Sequence, residues 1–210
     1  MRWPANSNTI TQTSNTSLNA TGAADVIKVT GRGNKATIGS ATLNLAAGAG
    51  EALTGSNDTI NLAANSVLTV TGSADTINAS GSGAAVELAG TGHKVKLSSG
   101  TVILDAGAAA TVTGNNDLIA LKANNTATIS GSAATIDVTG IGNVLNVSNA
   151  TIIIEVGAAL TTPPIEHARR YAGQHSRAAP FRRCSLRQPR ASLGRQTGAP
   201  RCRSGTCSHK

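Results

Sequence analysis

Aromatic side chains are nearly absent from this chain of 210 residues: Trp3, Tyr171 and Phe181 are the only three. A core between Pro4 and Arg170 must therefore be built from Val, Ile, Leu, Ala and Thr, which argues against an ordinary compact domain. Stacks of short strands tolerate that poverty, because each layer buries only a few aliphatic groups against the next. Cysteine is missing from the first 160 residues; Cys184, Cys202 and Cys207 all lie in the last fifty. No stretch approaches the roughly twenty apolar residues of a membrane span, and "MRWPANSNTITQTSNTSLNA" lacks the apolar run of a secretory leader. Catalytic patterns are missing too. No Walker loop follows the Gly-rich stretches, and "GRGNKA", "GTGHKV" and "GIGNVL" lack the third Gly of a dinucleotide fingerprint. His93, His167, His175 and His209 stand without a partner pattern; His93 occupies the turn position of Asn34 and Asn143. The expectation is a protein that is not an enzyme.

Charge divides the chain in two. Residues 1–160 carry seven basic side chains (Arg2, Lys28, Arg32, Lys35, Lys94, Lys96 and Lys122) against nine acidic ones, whereas residues 161–210 carry ten Arg and one Lys against Glu166 alone. The second part, beginning near "LTTPPIEH", shows no repeat and little periodicity, and changes from Lys to Arg, Pro and Cys where a repeat is cut short. Such a composition cannot bury enough apolar surface to fold, so 161–210 is expected to be a disordered Arg-rich tail. Translation of a GC-rich gene in a shifted frame yields this kind of text, and the tail is read as a frameshift product ahead of an evolved basic tail. Clustered Arg suits phosphates, but without supporting structure a nucleic-acid partner is not expected. Cys184, Cys202, Cys207 and His209 contain no C-x-x-C pair and form a weak zinc pattern.

What the first part does contain is repetition. "TGAADVIKV" begins at Thr21, "TGSNDTINL" at Thr54, "TGSADTINA" at Thr71, "TGNNDLIAL" at Thr113 and "SGSAATIDV" at Ser130. The steps 54 to 71 and 113 to 130 are both 17, and 54 to 113 and 71 to 130 are both 59, so a short unit sits inside a longer duplicated block. A second family agrees: "VTGRGNKATIGSATLNLAAGAGEALTG" from Val29 matches "LAGTGHKVKLSSGTVILDAGAAATVTG" from Leu88, with a shorter copy from Val138. Aliphatic clusters recur about every eight to nine residues, with apolar and polar residues alternating inside them, as in a half-buried strand. Gly, Asn, Ser and Asp separate them as turn formers.

The fold class predicted is all-β: a parallel β-solenoid, β-roll-like, with about 17 residues per two-strand coil and two sheets facing each other. The domains expected are a lead-in at 1–20, a solenoid of roughly eight coils at 21–160 and the tail at 161–210. A helix in the Ala-rich "NLAAGAGEAL" and "DAGAAATV" is discounted, because Gly interrupts both. Thr-x-Thr pairs such as Thr69 with Thr71 and Thr111 with Thr113 resemble those of ice-binding solenoids, although threonine on an exposed strand face is ordinary.

The motifs "SNDTINL", "SADTINA" and "NNDLIAL" resemble the calcium-binding repeat of secreted bacterial RTX-type proteins and the wider group of large β-strand-repeat exoproteins and adhesins. In the RTX pattern G-G-x-G-x-D-x-U-x, Asp and turn carbonyls hold calcium while U fills the core. By position Asp58, Asp75 and Asp117 match the Asp, with Ile60, Ile77 and Ile119 at U, and Asp25 with Ile27 is a fourth match. The glycine two residues before the Asp is Ser56, Ser73 or Asn115 here, and the leading Gly pair is missing.

The resemblance implies a structural and adhesive repeat segment of a secreted or surface-exposed exoprotein, located outside the cell or on the bacterial surface. Its partners would be a host or cell-surface ligand, or further copies meeting at the solenoid ends. The alternative it implies is a weak calcium-binding module, with calcium as cofactor and Asp25, Asp58, Asp75 and Asp117 as ligands. One coil step puts Asp58 and Asp75 on one edge in adjacent layers, and two steps reach Asp25; Asp117 falls on the opposite edge beside Ala134. Two readings of these aspartates stand: ladders of calcium ligands, or residues that close turns.

Overall fold

The structure, a computed structural model, describes residues 2–3, 6–20, 22–162 and 169–172. All of them lie in one compact unit, Met1–Arg177; a second unit, Ala178–Lys210, falls outside the described residues. The described chain is strand and turn throughout. Odd-numbered strands form one sheet, in the order β1 (Arg2–Trp3), β3 (Ser17–Ala20), β5 (Asn34–Thr37), β7 (Gly50–Ser56), β9 (Val67–Ser73), β11 (Ala85–Thr91), β13 (Thr101–Leu104), β15 (Leu118–Leu121), β17 (Ala134–Val138), β19 (Ala150–Ile154) and β21 (Arg169–Ala172). Even-numbered strands form the other, in the order β2 (Thr9–Gln12), β4 (Val26–Val29), β6 (Thr42–Leu45), β8 (Thr59–Leu62), β10 (Thr76–Ala79), β12 (His93–Lys96), β14 (Ala109–Thr113), β16 (Thr126–Ser130), β18 (Asn143–Val147) and β20 (Leu160–Thr161). Every pairing is parallel, so the chain winds through about nine coils some 17 residues apart, and the predicted β-solenoid is what is found.

The array reaches beyond both predicted borders. Strands β2 and β3 pair with β4 and β5, so residues 9–12 and 17–20 belong to the solenoid rather than to a lead-in. They were hard to see because Ile10 and Leu18 are the only large aliphatic side chains in those two strands. At the other end β20 pairs with β18, and β21 lies beside β19, inside the expected tail. The rest of that tail lies outside the described residues.

Alternation decides what each strand buries. In the even sheet Ile27, Leu43, Ile60, Ile77, Val95 and Val112 stack in register and point inward. In the odd sheet Leu53, Val70, Leu88, Leu104, Leu121 and Val138 do the same from the facing side. Burying each such side chain contributes about 1.5–3 kcal/mol, so a coil with several of them needs no aromatic ring. Parallel strands cannot be joined by tight hairpins, and here each corner instead turns through one left-handed residue just before the next strand: Ala24, Ser40, Asn57, Ala74 and Gly92 along one edge, for example. The Ala-rich stretches are such corners. Ala49 N–H donates to the Ala46 carbonyl and Ala108 N–H to that of Asp105, with Gly48 and Gly107 in the left-handed region that a type II turn requires at its third position.

The duplicated block has a geometric result. "TGSND" at Thr54 ends β7 in the odd sheet, while its copy at Thr113 ends β14 in the even one. Copies 59 residues apart are seven strands apart, and therefore lie in opposite sheets.

Candidate functional site

Asp25, Asp58 and Asp75 sit along the edge where the chain enters the even sheet, immediately before β4, β8 and β10. Asp117 sits on the opposite edge before β15 and stacks over Ala134, as the 17-residue step requires. The structure thus brings Asp58 and Asp75 together in neighbouring coils, separates Asp25 from Asp58 by the coil carrying Ala41, and leaves Asp117 alone. All four point into the solenoid, with at most 3% of their surface exposed.

Their first task is a backbone hydrogen bond between coils. Oδ1 of each aspartate accepts the N–H of the residue stacked above it: Asn8 to Asp25 at 2.8 Å, Ala41 to Asp58 at 2.9 Å, Asp58 to Asp75 at 2.9 Å and Gly100 to Asp117 at 3.2 Å. A corner amide lies outside the sheet ladder, and burying it without a partner would cost roughly 1–3 kcal/mol. Asparagines form the same bond. Asn34 Oδ1 accepts from Thr16 N–H, Asn125 from Ala108 and Asn143 from Asn125, at 2.9–3.0 Å. The position therefore asks for a side-chain carbonyl oxygen, not for a charge.

The charge is in fact a burden. Burial pushes the Asp58 carboxyl up to about 6, the Asp75 carboxylate adding to the rise and the Ala41 N–H opposing it. Burial likewise raises Asp117 against the N–H groups of Gly100 and Ser99. The second oxygens of Asp25, Asp58 and Asp75 have no hydrogen-bond partner. His93, at the start of β12, stacks beneath Asp75 with Nδ1 3.3 Å from Asp75 Oδ2, both side chains fully buried. Sequence reasoning passed over Glu51, which stands inward at the start of β7 with both oxygens buried and unpartnered; burial raises its carboxyl to about 8. The 17-residue step was the signal that could have found it, since it aligns Glu51 with the core residue Leu68.

Calcium takes six to eight oxygens. Asp58 and Asp75 each have one oxygen committed to a backbone N–H, and among the described residues no three His, Cys, Asp or Glu side chains gather as a metal-binding group. The donors present do not fit a calcium shell. Replacing Asp58 separates the roles. Asp58→Asn keeps the acceptor for Ala41 N–H, as Asn125 and Asn143 do, and is expected to hold or raise the melting temperature at pH 7.5 with the same value in EDTA and in millimolar calcium. Asp58→Ala strands that N–H and should lower stability by about 1–3 kcal/mol. Far-UV circular dichroism melts read both; an asparagine variant as damaged as the alanine one would mean that the charge is needed.

Comparison of the chain with protein-family models, with curated proteins and with solved structures finds no match.

Proposed function

We propose that this chain is a structural and adhesive repeat segment of a secreted or surface-exposed bacterial exoprotein, with no covalent chemistry assigned to it. The observation that carries this reading is the unbroken in-register stack of about nine coils, which presents two long pleated faces to solvent. Repeat stacks of this kind hold partners on extended surfaces and set distances between them. The acids with raised titration, Glu51, Asp58 and Asp117, are buried and either hydrogen-bond corner amides or sit unpartnered in the core, while exposed Lys122 is raised by its contacts with Asp105 and Glu87, so each perturbation has an architectural or ion-pair cause. Adhesion is tested by adding fluorescently labelled full chain to bacterial and epithelial cell layers, washing, and measuring what is retained. Saturable retention is the expected result; retention no greater than that of serum albumin overturns the adhesive role.

A further inference from the structure

The solenoid sorts its charges by face. Of the nine carboxylates in residues 1–160, Asp25, Glu51, Asp58, Asp75 and Asp117 are buried. The four that reach solvent are Glu87 and Asp137 on the odd sheet, and Asp105 and Glu155 just after strands of that sheet. Strands β2 to β20 of the even sheet present no carboxylate outward, but they do present Lys28, Lys94 and Lys96, all exposed. Lys94 and Lys96 are successive outward residues of β12, and Lys28 lies four strands away in the column of Lys96. Adjacent strands are about 4.8 Å apart, so these cations bracket a face about 19 Å long.

Between them the face is a polar lattice. Thr42, Thr59 and Thr76 form one column and Asn44, Asn61 and Asn78 the next. The asparagines are already aligned, Asn61 Nδ2 donating to Asn44 Oδ1 at 2.8 Å and Asn78 Nδ2 to Asn61 Oδ1 at 3.4 Å. A shallow trough of about 350 Å³ runs beside Lys94 and Lys96 against Thr76, Asn78, Thr111 and Thr113.

We propose that this outer face of the even sheet docks a linear anionic polysaccharide; the inference rests on the adhesive reading and names its partner. Charge complementarity selects a polyanion, because the face has cations and no outward acid. The spacing of charge selects a glycan. A nucleic-acid strand carries a phosphate about every 3.4 Å and is gripped by aromatic stacking when single-stranded, whereas this face offers three lysines over its length and no aromatic. Hydroxyl and amide columns held in fixed register offer hydrogen bonds to a hydroxyl-rich polymer, at little entropic cost because the sheet already orders them.

The test is residue-resolved, so that the Arg-rich C-terminal part of the full chain cannot imitate the result. The lysines are acetylated with an amine-reactive ester in the presence and absence of alginate, and each modification rate is read by mass spectrometry. Alginate is expected to slow Lys28, Lys94 and Lys96 by about fivefold or more at low salt, an effect that added salt reverses, while Lys35 on the other sheet and Lys122, just after a strand of that sheet, change less than about twofold. In the full chain carrying Lys94→Gln and Lys96→Gln, protection of Lys28 should fall back toward the rate without polymer. Equal protection of both faces overturns the proposal, as does equal protection by neutral dextran, or protection by oligothymidylate where alginate gives none. Cells that retain the chain without face-selective protection remove the glycan and leave the adhesive role; loss of retention with protection intact does the reverse.

Discussion

Replacing Glu51 by Leu is expected to raise the melting temperature at pH 8.5 by roughly 10 °C, a gain on the order of 3 kcal/mol for a domain of this size. Glu51 occupies the inward column continued by Leu68, Val86, Val102, Ile119 and Ile136, all buried. Neither of its oxygens has a partner, and the amide nitrogen of Asn34, stacked above it, has none either. The folded protein keeps the proton up to about pH 8, whereas the unfolded chain releases it near the ordinary glutamate value of 4.5. Folding therefore binds a proton between those values, and stability falls as pH rises across that window. Glu51→Gln isolates this effect, because an amide mimics the protonated acid without titrating. It should melt with the wild type at pH 4 and well above it at pH 8.5. Asp58, raised to about 6, adds a fall of the same sign at lower pH, between its usual range and 6. Melts of the three proteins across pH 4–9 measure this, and a wild type that gains stability from pH 5 to 8.5 relative to Glu51→Gln would refute it.

The opposite extreme is Gly72→Ala, expected to cost more than about 4 kcal/mol, which is exceptional for the addition of one methyl group. Thr54-Gly55-Ser56 lies directly under Thr71-Gly72-Ser73 in the odd sheet. A Cβ on Gly72 would be driven into the Gly55 carbonyl oxygen, and one on Gly55 into that of Ile38 and against Asp58 Oδ2. The nearest obstacle in each case is a backbone carbonyl, and neither coil can retreat without breaking its pairing to the next. Gly39 is the control, since a Cβ there would meet only the Ser56 oxygen at an ordinary 3.6 Å. Gly39→Ala should change stability by less than about 1 kcal/mol, with a slight gain from a less flexible unfolded chain. Coils in such arrays interact chiefly with their neighbours. The Gly72→Ala melt should therefore broaden or split as the coils on either side of residue 72 lose cooperativity, and a single sharp transition near the wild-type temperature would refute the account.

Much of this architecture is written in the spacing of a few residues. Asp58 and Asp75, 17 apart, mark one edge, and Asp117, 42 further on, marks the other; both placements follow from the coil length, and the structure agrees. The chemistry of those edges was less legible. Asn34, Asn125 and Asn143 carry the same inter-coil bond as the aspartates, but in sequence they look like ordinary turn formers. Ala74 and Ala133 occupy left-handed corners, at φ 58° each, where propensity would place Gly or Asn; stacking overrides a local cost of roughly 1–2 kcal/mol. The segregation of charge was hidden for a different reason. Lys28, Lys94 and Lys96 share a face only once every strand is assigned to its sheet, which the count of acids and bases along the chain does not reveal.

The opposite-sheet placement of the 59-residue copies makes the growth of this protein a matter of parity. Unequal crossover between two copies would insert seven strands, an odd number, and every strand downstream would exchange sheets. A chain one block longer would then present its far lysines on the reverse side of the rod from its near ones, and a chain two blocks longer would bring them back into line. The left-handed corners, the amide-capping side chains and the inward aliphatic columns recur on both edges, so the core would register no change. Recombination in such a gene can therefore rotate the surface pattern by half a turn while leaving the fold intact, and selection on what the surface meets would read the number of blocks as even or odd.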